Sequence, residues 1–186
     1  NSLEFHKAKF VTAYIPLPIL SEEGIMHAIA EELSIERAPD ISYYDLLKRI
    51  TEELISISEE DKNVILFIDE AQAMLQETLE AVHLLTKVES STGKHLKVVL
   101  FGQPELNELL DHAILRQIKQ QLSYSFNIPA LDRDGVESYV AHRLSKAGYN
   151  GPHMFTTNAV DALYQASRGI PRLINVLCLK ALMASF

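Results

Sequence analysis

The sequence predicts a layered α/β domain built on a mostly parallel sheet, followed by a small all-helical unit. Three observations lead to this expectation. Four short stretches have the composition of strands: residues 10–15 (FVTAYI), 64–68 (VILFI), 96–101 (LKVVLF) and 124–128 (YSFNI). Between the first three, apolar residues recur at helical spacing, so strand and helix alternate. Beyond Pro129 the strand signals stop and only helical patterns follow.

Residues 64–68 are apolar at every position and VVLF is nearly so, which is the composition of interior strands covered on both faces. SYSFNI alternates polar and apolar, as an edge strand with one wetter face does. Ser21 is placed to cap a helix that carries Ile25, Ile29 and Leu33 on one stripe. Ser42 with Asp45 resembles a capping box ahead of Leu46, Leu47, Ile50 and Leu54, and Leu75, Leu79 and Val82 continue the pattern after the second strand. Three further helices are expected: 132–147 ending at Gly148, 156–167 ending near Gly169, and one from Pro171 to the last residue. The division between an α/β core, 1–129, and a helical unit, 130–186, is placed near Pro129. The last helix reaches Phe186 without a stop signal, so the helical unit is expected to be cut short.

With 186 residues and 47% hydrophobic content, the chain can bury one substantial core, or a core with a smaller appendage. The net charge of −8 repels phosphate backbones and no run of Lys and Arg forms a basic stripe, so no nucleic-acid partner is expected. The single cysteine, Cys178, cannot form an internal disulfide, which makes the cytoplasm the expected compartment. No apolar run approaches the roughly 18 to 20 residues of a membrane-spanning helix, and the start, NSLEFHKAKF, lacks the apolar stretch of a signal peptide. Any membrane association is expected through partners or other segments. The seven histidines include no pair three or four apart, so no protein-ligated transition metal is expected.

The segment VILFIDEAQ, 64–72, delivers Asp69 and Glu70 at the carboxyl end of an apolar strand, where ligands of open α/β sheets bind. Paired acids there suit phosphoryl transfer, the first holding Mg²⁺ and the second orienting and polarising an attacking water. The alternative is that Asp69 caps the helix that follows, because Asp is a favoured N-cap and acids suit a helix start. Gln103 ends the strand 96–101 beyond Gly102, just before Pro104, which is well suited to a helix start. Its amide can accept from a water or donate to a phosphate oxygen, or it is simply a turn residue. Arg172, in the run Gly169-Ile170-Pro171-Arg172, puts a cation in the first turn of a helix, facing the positive end of the dipole. A nearby anion would relieve that cost; the alternative is a solvated arginine at a frayed helix start. Arg168, at the preceding helix end, is explained by its favourable dipole interaction.

With these residues in order, the sequence resembles the AAA-type P-loop ATPases of bacterial secretion and type IV pilus assembly. The phrases that carry the resemblance are ILFIDEAQAMLQETLEAVHLLT, VVLFGQPEL and ASRGIPRLINVLCLKALMA, and the match covers almost the whole chain, strongest from Asn63 onward. The resemblance implies an α/β P-loop NTPase core with a small all-α lid. Asp69 and Glu70 become the Walker B acids, with Asp69 binding nucleotide and Mg²⁺, through water, and Glu70 catalytic. Gln103 becomes the catalytic sensor 1 residue, and Arg172 the sensor 2 arginine that reaches the nucleotide phosphates. The implied protein is a cytoplasmic, homo-oligomeric ATP hydrolase that uses ATP and Mg²⁺ and works with pilus or secretion assembly proteins at the inner membrane. Two other functions share some of these features. One is that of the AAA-type ATPases of DNA transposition, against which the acidic charge counts. The other is that of a non-hydrolysing interaction module, against which the presence of both acids and Arg172 counts.

Two departures from the family pattern stand out. No G-x-x-x-x-G-K-[ST] is present, since the only Gly-Lys pair, Gly93-Lys94, is followed by His95 in a hydrophilic stretch. In the family the phosphate loop lies ahead of the segment where this chain begins. Residues 1–4 are therefore expected to continue the helix after that loop, and the central strand of the sheet is expected to be missing between 96–101 and 124–128. The backbone groups left open there lead to an expected shifted or intermolecular sheet contact, and the chain alone is expected to be inactive. The second departure is Gln121 in LRQIKQQLSYSF, where the family phrase usually carries a trans-acting arginine. Either Arg116 supplies the cation to a neighbouring subunit's nucleotide, or trans-activation is weak.

Overall fold

The computed structural model describes residues 9–36, 38, 40–90 and 93–185. Along the chain run β1 (Phe10–Ile15), α1 (Glu22–Glu32), α2 (Tyr43–Glu59), β2 (Asn63–Ile68), a 3-10 turn (Ala71–Ala73) and α3 (Gln76–Leu85). The two-residue strands β3 (Glu89–Ser90) and β4 (Gly93–Lys94) form a small hairpin ahead of β5 (Leu96–Leu100). Helices α4 (Glu105–Leu110), α5 (Arg116–Gln121), α6 (Arg133–Lys146), α7 (Thr157–Ser167) and α8 (Pro171–Ala184) follow. Two compact units divide the chain, Asn1–Ser123 and Tyr124–Phe186, ahead of the division placed at Pro129 from the sequence.

In the first unit, the expected caps form. Ser21 Oγ accepts the Gly24 N–H at 3.1 Å and opens α1, whose Ile25 and Ile29 are buried, as is Leu33 at its C-cap. Ser42 Oγ accepts the Asp45 N–H at 3.1 Å and donates to the Asp45 carboxylate at 2.6 Å, opening α2, in which Leu46, Ile50 and Leu54 are buried and Leu47 is half-buried. The Tyr43 hydroxyl donates to Glu22 at 2.6 Å and ties α2 to α1; burial, and then this carboxylate, push its pKa up to about 12. Leu75 departs from the expected stripe. The helix starts only at Gln76, so Leu75 sits at its N-cap and is well exposed, whereas Leu79 and Val82 are buried.

The sheet is parallel, in the order β1–β2–β5, with Ile15, Ile68 and Leu100 in one row across it. Along β2, Val64, Leu66 and Ile68 are buried while Ile65 and Phe67 are only half-buried, so one face is fully covered instead of the two expected. β5 was expected to be interior but lies at an edge, paired with β2 on one side and with no described residue on the other. Residues 124–128, expected to be a strand, form none: Tyr124, Phe126 and Ile128 are 95%, 83% and 84% exposed, and the segment joins no ladder among the described residues. An alternating sequence only makes a strand if a neighbouring backbone completes its hydrogen bonds, and no described backbone does so here. Among the described residues the shifted pairing expected at the gap does not form, and the helix expected at residues 1–4 lies outside the described residues.

The second unit is held by a core of Val136, Val140, Val160, Leu163 and Ile174. Asp132 Oδ1 accepts the Gly135 N–H at 2.7 Å and opens α6, and Thr156 Oγ1 accepts the Ala159 N–H at 3.3 Å and opens α7. Arg133 joins these two helices through Asp161 at 2.8 Å and also pairs with Glu137; both carboxylates raise its already high pKa. α6 ends at Gly148 in the left-handed region, and α7 ends in two left-handed residues, Arg168 (φ 50°) and Gly169 (φ 73°). α8 ends at Ala184, and Phe186 lies outside the described residues. Among the described residues no helix is long and apolar enough to cross a membrane.

Candidate functional site

Because Ile15, Ile68 and Leu100 are in register, the residues just beyond them share one rim of the sheet. Three main-chain bonds fix this rim. The Asp69 N–H donates to the Ile15 carbonyl at 2.9 Å, the Phe101 N–H to the Ile68 carbonyl at 2.8 Å, and the Ala71 N–H to the Phe101 carbonyl at 2.9 Å. The chain leaving β2 is thereby bonded to the ends of both neighbouring strands, and Asp69 and Glu70 are held between them.

Asp69 accepts the Glu70 N–H on Oδ1 at 2.9 Å and the Tyr14 hydroxyl on Oδ2 at 3.0 Å. It caps no helix. Glu70 stands at the N-cap of the 3-10 turn without a side-chain cap bond, and α3 begins behind Leu75. Glu70 adopts φ 51° and ψ 38°, a left-handed conformation that costs a residue other than glycine about 1 kcal/mol. Its carboxylate Oε2 accepts two side-chain amides, from Gln72 Nε2 at 2.5 Å and from Gln103 Nε2 at 3.3 Å. The other end of the Gln72 amide accepts the Gln103 N–H at 3.1 Å. Gly102 leaves room for this arrangement, because a Cβ there would lie 3.0 Å from Gln72 Oε1 and 2.8 Å from Leu106 Cδ2.

The hydrogen bond to Asp69 is the chief cause of a raised pKa at Tyr14, with burial and the carboxylate charge adding to it. The phenol must stay protonated to donate. The stabilisation from this bond is therefore complete below the ordinary value of 10.0 and is lost as the pH rises through the higher folded value. Asp69→Asn is expected to bring the Tyr14 ionisation down towards that ordinary value, as read from the difference between alkaline absorbance titrations of variant and parent. Superimposable titrations would contradict the bond.

Asp69, Glu70 and Gln103 are thus brought together, all in the first unit. Arg116, the first residue of α5, is exposed and engages no carboxylate among the described residues, whereas Lys119 pairs with Asp111 at 2.5 Å and Gln121 closes the same helix. Arg172 belongs to the second unit, one residue after Pro171 at the start of α8, where it is exposed and likewise engages no carboxylate among the described residues. Two members of the site carried no role in the sequence reading. Gln72 had a visible signal, as an amide two residues past Glu70 in the same phrase. Tyr14 had none, because its place beside Asp69 follows from the register of β1 on β2.

A family profile described as "AAA domain" matches residues 1–110, and the chain belongs to that family. It is 38% identical over 174 residues to general secretion pathway protein A of Aeromonas hydrophila, a match that covers 94% of this chain and 32% of that protein. The chain thus spans about a third of the length of this relative. Its fold is similar to that of the ORC2 protein of Aeropyrum pernix. For the ADP form of ORC2 the TM-score is 0.68 at 13% identity, covering 99% of this chain and 50% of the other. For the ADPNP–ADP complexes it is 0.60 at 15% identity, covering 77% and 38%. At such identities the likeness establishes the fold alone. The expected AAA-type P-loop NTPase fold is the one observed, with three parallel strands among the described residues.

Proposed function

We propose that the tips of β1, β2 and β5 form the Mg²⁺ and water side of an ATP-hydrolysis site in a protein of bacterial secretion or type IV pilus assembly. The observation that carries this reading is the placement of two adjacent acids, Asp69 and Glu70, at the carboxyl end of the central strand, with the Gln103 amide on the Glu70 carboxylate. Each Asp69 oxygen accepts one bond and so has a lone pair left. A single carboxylate completed by waters and nucleotide phosphates is a donor set that suits Mg²⁺. Bound there, the ion would neutralise charge developing on the phosphates.

Glu70 is assigned the orientation and polarisation of the attacking water, with Gln103 beside it. Arg172 is assigned to the nucleotide phosphates, and Arg116 to a neighbouring subunit's nucleotide in a homo-oligomer. The identity to general secretion pathway protein A supports a role in secretion. Within that role, the phrases around DEAQ and RGIPR favour the type IV pilus branch, with the mannose-sensitive haemagglutinin (MSHA) pilus biogenesis protein M as the finer reading. The assigned setting is the cytoplasm, at the inner membrane, beside assembly partners.

The 186 residues contain no G-x-x-x-x-G-K-[ST], so tight nucleotide binding is assigned to the full-length protein and not to this chain alone. Equilibrium binding of a fluorescent ATP analogue with Mg²⁺ compares the two. The chain alone is expected to bind more weakly than about 1 mM, and the full-length protein at least tenfold more tightly. Submillimolar binding by the chain alone would contradict this.

A further inference from the structure

We propose that Gln72 is a positioning residue that ties the Glu70 carboxylate to the end of β5, so that Glu70 and Gln103 are held as one unit. The inference rests on the ATP-hydrolysis reading of the site. One side-chain amide spans the gap: Nε2 donates to Glu70 Oε2 at 2.5 Å while Oε1 accepts the Gln103 N–H at 3.1 Å. Gln103 Nε2 reaches the same Glu70 oxygen at 3.3 Å, and this closes a ring of hydrogen bonds across the tips of β2 and β5.

A side-chain amide brings a donor and an acceptor to fixed places on one planar group, which this ring needs. The room for it is built in, since a Cβ at position 102 would crowd Gln72 Oε1 at 3.0 Å. The two bonds to Gln103 differ in kind. If the Gln103 side chain turned towards a phosphate, its own bond to Glu70 would be lost, but Gln72 would still link Glu70 to the Gln103 main chain. Gln72 is therefore the part of the ring that keeps Glu70 aimed during turnover.

The test uses full-length protein carrying Gln72→Ala or Gln72→Glu, with steady-state ATP hydrolysis measured across ATP concentration and amide exchange followed at Gln103. Gln72→Ala is expected to lower kcat about tenfold while KM for ATP stays within about twofold. Gln72→Glu keeps the side-chain volume but replaces the N–H donor with a second carboxylate beside Glu70, so it should lower kcat at least as far. The Gln103 N–H should lose exchange protection in Gln72→Ala. Unchanged kcat, a loss confined to KM, or unchanged Gln103 protection would each overturn the proposal. If Glu70→Gln leaves hydrolysis intact, the ATP-hydrolysis reading fails, and the role of Gln72 fails with it.

Discussion

Gly169→Ala is expected to destabilise the second unit by about 3 kcal/mol or more, while Gly148→Ala is expected to cost only about 1 kcal/mol. Both glycines have positive φ, 73° and 89°, and a Cβ is strained at either. Their surroundings differ. At Gly148 nothing lies within 4 Å of the added carbon, whereas at Gly169 it would fall 1.9 Å from the Leu131 carbonyl oxygen and 2.9 Å from the Leu131 nitrogen. Backbone cannot step aside as a flexible side chain can, and moving it would break the bond from the Leu131 N–H to the Gly169 carbonyl at 3.0 Å. Gly169 is the joint from which Ile170, Pro171 and Arg172 enter α8. Urea denaturation of both variants, with α6–α8 followed by amide exchange, measures the difference; equal losses at the two positions would contradict the close approach.

Glu70→Gln in the full-length protein is expected to slow ATP hydrolysis about 100-fold or more while leaving ATP binding intact. The two side chains are nearly isosteric, so the left-handed turn at residue 70 and the strand-tip bonds have no reason to change. The amide oxygen of the new residue can still accept from Gln72 and Gln103. What is lost is the negative charge proposed to polarise water. Binding, assigned chiefly to groups that meet the phosphates and Mg²⁺, should therefore separate cleanly from chemistry.

Much of this arrangement was legible because it is local. Ser21 and Ser42 cap the helices they precede, and these caps depend on spacings of three residues. Asp69, Glu70 and Gln103 were legible because residues that directly follow parallel strands must share a rim. The parts that were not legible depend on partners far along the chain. The alternation in residues 124–128 records a capacity to pair but cannot show whether a neighbouring strand is there. Tyr14 lies beside Asp69 only because of strand register. Gly169 was read as a helix stop, which it is, but its close contact with Leu131 comes from tertiary packing. The capping explanation of Asp69 was equally compatible with the sequence, and was decided by the turn geometry that sets α3 apart from it.

Single-turnover hydrolysis of Mg²⁺·ATP by full-length parent and Glu70→Gln protein, with bound nucleotide quantified in the same samples, addresses the strand-tip site most directly. The expected result is equal nucleotide occupancy with cleavage in the variant slower by about 100-fold or more. Equal cleavage rates in the two proteins would contradict the assignment of Glu70 and, with it, of the strand-tip site.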